Sequence, residues 1–132
     1  MSGPESSSDE PVSYALRLHE RAFRDINCAF VRLADVVSET AARNWREGLT
    51  DAMAGLATFP RRNPLATERF RREVRQLLYQ RTGSQIAYRI LFTIIGDQGQ
   101  SPDPPTAIIL QMRHASARPL TKAQIPAIES DV

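Results

Sequence analysis

The chain has 132 residues, 42% of them hydrophobic and 7% aromatic, enough for one modest core and too few for two domains. It has no apolar run long enough to span a bilayer. Its start, MSGPESSSDEP, is acidic where a secretory signal would be basic and then apolar, so a soluble, cytoplasmic protein without membrane contact is expected. The net charge of +2 hides an asymmetry: residues 60–122 hold 11 bases against 4 acids, while 12–59 balances at six each. A cationic half with acidic tails suits a nucleic acid, a nucleotide-rich machine or an acidic protein partner.

Residues 1–11 are rich in Ser, Pro, Gly and acids and are expected to be a disordered leader. VSYALRL (12–18) alternates Tyr14, Leu16 and Leu18 against Ser13, Ala15 and Arg17, the period of a half-buried strand. From His19, expected as a cap or turn residue, the period lengthens. Ala22, Phe23, Ile26, Phe30, Leu33 and Val37 recur at steps of three and four, predicting an amphipathic helix over 20–37. Ser38 reads as an N-cap with Glu39 in the first turn. A second helix carries Ala42, Trp45, Leu49, Ala52, Met53 and Leu56 on its stripe until Phe59-Pro60 ends it, and so tight a connection folds the pair into an antiparallel hairpin. Cys28 alone excludes an internal disulfide or a two-thiol zinc or redox motif, and is expected to be a small buried hydrophobe.

Residues 60–69 carry two prolines and no period, and predict a loop. Three strands follow. FRREVRQLLY (70–79) turns around Gly83 into AYRILFTII (87–95), whose nearly continuous apolar character marks a central strand. The proline- and glycine-rich 96–105 links it to TAIILQMRH (106–114). The tail 121–132 is expected to add a short helical turn or stay loose. Strand, helix, helix and three strands make an α+β domain over 12–120, with the hairpin on one face of a small, mainly antiparallel sheet.

Alternation assigns Tyr88, Ile90, Phe92 and Ile94, with Ile108, Leu110 and Met112, to the helix side. The face of 70–79 with Val74, Gln76 and Leu78 is placed there too. Arg75, Leu77 and Tyr79, with Arg89, Leu91 and Thr93 and with Ile109, Gln111 and Arg113, then look outward. Arg75, Arg89 and Arg113 would share one uncovered, cationic and partly apolar face fit to grip an anionic or amphipathic partner. The alternative is that these arginines pair with Glu73 or with tail carboxylates. His114 falls at the rim of the sheet as a structural residue or a general acid. No phosphate loop, zinc spacing or nucleophile elbow is present, so no metal or cofactor is expected.

The order and spacing of YALRLHERAFRDI, AARNWREGLTDAMAGLATFPRR, VRQLLY, YRILFTI and IILQMRHASARPL resemble the RelE/ParE toxins of bacterial type II toxin–antitoxin systems, also labelled plasmid stabilisation proteins. The resemblance implies two helices against a twisted antiparallel sheet, a first strand paired inside that sheet, and a cognate antitoxin as partner. In the ParE-like branch, favoured by RHASARPL and by the long second helix with its FPRR exit, the target is DNA gyrase. Arg75, Arg89, Arg113 and Arg118 would then bind partners without chemistry. In the RelE-like branch the target is mRNA in the ribosome, with Arg89, Arg113 and His114 as the catalytic set. The acidic leader, the 96–105 loop and the tail after Leu120 depart from the family pattern, and a non-toxic member of the family is a third reading.

Overall fold

The computed structural model describes residues 13–81, 83–97 and 104–130. The expected acidic leader and most of the proline-rich loop lie outside the described residues. Strand β1 spans Ala15–Leu18 and leads directly into helix α1, Glu20–Val36. His19 caps that helix, its Nδ1 accepting from Arg21 N at 3.0 Å. Helix α2, Glu39–Ala54, starts where Ser38 Oγ accepts from Ala41 N at 3.0 Å. It tightens into a 3-10 turn at Gly55–Ala57 and exits through Phe59, whose φ of 53° is left-handed, into a second 3-10 turn at Pro60–Arg62. Strands β2 (Val74–Gln80), β3 (Ala87–Ile95) and β4 (Thr106–His114) follow, and then a short helix α3 (Ile125–Glu129).

The sheet order is β1-β4-β3-β2, with β1 parallel to β4 and the other pairs antiparallel. The α+β architecture expected from the sequence is the observed one. Strand β2 begins at Val74, because residues 70–73 bend at 71–72 and form no ladder. The stripe of the helical hairpin (Ala22, Ile26, Trp45, Leu49, Leu56) packs on Tyr79, Ile90, Phe92, Ala107, Ile109 and Met112. Trp45 lies against Tyr88 at 5.5 Å between ring centroids and against Tyr79 at 6.4 Å. Cys28, by contrast, is exposed: it sits opposite this stripe on α1, so the expected burial is corrected.

Two face assignments also change. The β3–β4 register jumps between Leu91, paired with Gln111, and Phe92, paired with Ile109, so Leu110 is an extra residue in the ladder. Such a bulge reverses alternation beyond it. Ile109 therefore lies under the helices with Met112, while Ile108 and Leu110 face the other side. Past the end of β1, Met112 N donates at 3.1 Å to Asp25 Oδ2 on α1. Burial pushes that carboxyl up, against the opposing pull of the amide and of nearby arginines. In β2 the assignment is inverted: Leu77 and Tyr79 pack under the helices, and Val74 faces away. Three successive apolar residues in VRQLLY carry no period-2 signal, and the pairing of Tyr79 with Tyr88 and Leu77 with Ile90 decides the face.

The second face of the sheet is not open. Val74, Leu91, Ile108 and Leu110 form a second core with Leu120, Ile125 and Ile128 of the C-terminal segment, backed by Ala66 and Phe70. The tail beyond Thr121 thus completes a third layer. A strand that is apolar on both faces, as β3 is, requires cover on both. Among the described residues no helix is long and apolar enough to cross a membrane.

Candidate functional site

Arg89, expected on an uncovered face, does lie opposite Arg113 on the second side of the sheet. Its surroundings are those of a core residue, 7% exposed. Its guanidinium clasps Glu68 at both oxygens, 2.5 Å to Oε1 and 3.1 Å to Oε2, and donates from Nε to Gln76 Oε1 at 2.9 Å. Glu68 Oε2 also accepts from Leu120 N at 3.1 Å, so one carboxylate ties the 64–70 segment, β3 and the C-terminal segment together. Burial would raise the Glu68 carboxyl. The hydrogen bonds from Arg89 and from the Leu120 amide outweigh it and hold the group at about 2. Two arginines directly across a ladder repel each other, and the Glu68 carboxylate offsets that repulsion at Arg89.

Arg75 does not join them. It lies on the helix side of β2, opposite Phe92, and its guanidinium donates to Asn63 O and Glu73 Oε2, each at 2.6 Å. Glu73 also binds Arg61, and the two arginines together draw its carboxyl below its usual range against a smaller effect of burial. Arg61 in turn grips Asp97 at 2.7 and 2.9 Å. This is the self-pairing alternative, and it pins residues 61–64 along the free edge of β2, where Gln76 N donates to Pro64 O at 2.9 Å.

Arg113 is half-buried, and one terminal nitrogen donates to Arg118 O at 2.6 Å, closing the loop after β4. Arg118 itself faces solvent. His114 is exposed on the opposite face from Arg113, edge-on to Tyr88 at 5.6 Å. Its Nδ1 lies 2.6 Å from Ser116 Oγ and accepts from Ser116 N at 3.2 Å, so it shapes the turn that follows the strand. Arg89, Arg113 and His114 are thus one buried ion pair, one loop tie and one turn former: the two arginines are cross-strand neighbours on one face, and His114 lies on the other.

The cationic charge of the second half reaches solvent one layer further out. Arg69, Arg71, Arg72, Arg118 and Lys122 are all exposed on the segments that cover the second face. Arg69, Arg71 and Lys122 line a hollow of about 520 Å3 together with Leu120, Ile125 and the carboxylates of Glu68 and Glu129. At its margin the successive amides of Arg71 and Arg72 donate to Glu129 Oε2 at 2.5 and 3.0 Å, a backbone arrangement suited to anions. The charge run FRR at 70–72 and the Arg/Lys spacing at 118–122 were the sequence signals for this surface. They lie in segments without a period, and alternation cannot orient them. No cluster of three or more His, Cys, Asp or Glu side chains suited to a metal occurs among the described residues.

Neither a protein-family model nor a curated protein sequence matches the chain. Among solved structures, it is similar to a chain of the chromosomal ParDE TA system from P. aeruginosa, with a TM-score of 0.57 and 12% identity over 77% of this chain and 96% of that one. At that identity the likeness establishes the fold, and it is the fold that the sequence motifs implied.

Proposed function

We propose that this protein is the toxin of a type II toxin–antitoxin module, neutralised by a cognate antitoxin and acting by binding DNA gyrase. The observation that carries the reading is the shared fold with a chain of a ParDE TA system, met independently by the motif order from YALRLHERAFRDI to RHASARPL. Binding is favoured over mRNA cleavage because Arg89, which a nuclease would spend on phosphate, is saturated by Glu68 and Gln76. General acid–base work also needs two groups within reach of one substrate, and Arg113 and His114 sit on opposite faces of β4. In this reading Arg69, Arg71, Arg72, Arg118 and Lys122, with Arg113 at their margin, are the contact surface. Arg75 and Arg89 position the segments that carry it.

The test is production of the full chain with and without any short reading frame beside its gene, followed by gyrase supercoiling and ribosome-dependent cleavage assays. Growth arrest relieved by the neighbour, with supercoiling inhibited and mRNA intact, is the expected result. Unimpaired growth at good soluble yield removes the toxin reading. Cleaved mRNA beside normal gyrase activity replaces gyrase with the ribosome as the target.

A further inference from the structure

Helix α1 has a second face that nothing in the described chain covers. Ala22, Ile26 and Leu33 point into the core, and on the opposite side Arg24, Cys28, Val31 and Asp35 follow one another at steps of four, three and four. That spacing is the seam of two packed helices. All four are exposed, Val31 at 57% and Arg24 at 71% of its side chain, and Phe23 and Val36 widen the apolar border on either flank. Together with their neighbours they line a shallow concavity of about 720 Å3 on this one helix.

We infer that this face of α1 is a homodimer interface, in which two copies pack their α1 helices antiparallel about a twofold axis between Cys28 and Val31. The charge order decides both occupant and direction. In an antiparallel seam with Cys28 facing Val31 of the other copy, Arg24 falls opposite Asp35, and by symmetry Asp35 opposite Arg24. Two apolar layers are then flanked by two complementary ionic layers. A parallel pair would set Arg24 on Arg24 and Asp35 on Asp35, which like-charge repulsion opposes. Arg24 is held only loosely among the described residues, by an exposed 3.5 Å ion pair with Glu20 one turn away and by the field of the neighbouring Asp25. A contact confined to one helix pair is small as interfaces go, so the dimer forms and dissociates with concentration. This surface lies on the hairpin, away from the cationic covering layer, and the inference does not rest on the toxin reading.

The test is sedimentation velocity of the full chain from about 1 to 100 μM, with far-UV circular dichroism to verify folding of each variant. A monomer–dimer equilibrium is expected. Arg24→Asp and Asp35→Arg should each weaken it at least about tenfold, because each places like charges together twice, and the double exchange should restore it. In a second arm, Val31→Cys should let the native Cys28 form an intermolecular disulfide under mild oxidation by diamide, since those positions face each other; the unaltered chain should stay uncrosslinked. A monomer at every concentration overturns the inference, as it would if an antitoxin helix or residues 1–12 of the same chain occupied the face. A dimer indifferent to the charge exchanges, or one crosslinked as readily through Cys28 alone, overturns the register on which it rests.

Discussion

The Glu68–Arg89 pair lends itself to a quantitative test because both members are buried, with side-chain exposures of 1% and 9%. The folded protein holds the Glu68 carboxyl at about 2 against an ordinary value of 4.5. A depression of that size corresponds to about 3 kcal/mol of stability. Because the folded value is the lower one, the contribution is complete above pH 4.5 and disappears as pH falls toward 2. Urea unfolding of the unaltered chain and of Glu68→Gln should therefore differ by about 3 kcal/mol at pH 7, and the gap should narrow steadily from pH 4.5 to 2.5. Carboxylates elsewhere titrate in both proteins and cancel from the difference. Arg89→Met alone strands a buried carboxylate and should cost roughly 3–5 kcal/mol, whereas Arg89→Met combined with Glu68→Leu should recover most of that loss. The residue of the cost is the Leu120 amide, left without its acceptor. A pH-independent gap, or an Arg89→Met loss below about 1 kcal/mol, would mean that the pair is solvated and that the C-terminal segment does not seal the sheet.

Gly48, inside α2, should resist the helix-favouring exchange to alanine: a Cβ there would meet Tyr79 Oη at 2.3 Å, and that hydroxyl is held by a 2.9 Å bond to Trp45 O. Thermal unfolding of Gly48→Ala should show a loss of about 2 kcal/mol in place of the usual gain, and Tyr79→Phe in the same chain should return part of it. Ile128→Ala should cost roughly 2–4 kcal/mol, since Ile128 is fully packed in the second core; a loss under about 0.5 kcal/mol would show the tail to be an appendage. Arg69→Glu with Lys122→Glu should leave the thermal midpoint within a degree or two and reduce gyrase inhibition at least about tenfold, and retained inhibition would move the contact surface elsewhere.

Much of the architecture was legible because periodicity is a local property. The steps of three and four from Ala22 to Leu33, the Ser38 cap, and the limits of β3 and β4 follow from side chains that must reach one core at a fixed helical or pleated spacing. The charge asymmetry was equally plain, because it needs only counting. What the chain could not disclose locally was which side of each strand meets which layer. One extra residue at Leu110 exchanged the faces of Ile108 and Ile109, and the pairing of β2 with β3 turned Arg75 toward the helices. The apolar run of β3 marked a central strand, but alternation left one of its faces open, because the segment that covers it contributes only Leu120, Ile125 and Ile128, too few to carry a period of their own. Whether a guanidinium solvates a surface or seals a core depends on a carboxylate 21 residues away finding it, as Glu68 finds Arg89. Contacts of that kind are fixed by how whole layers close on one another, and so only the tertiary structure decided them.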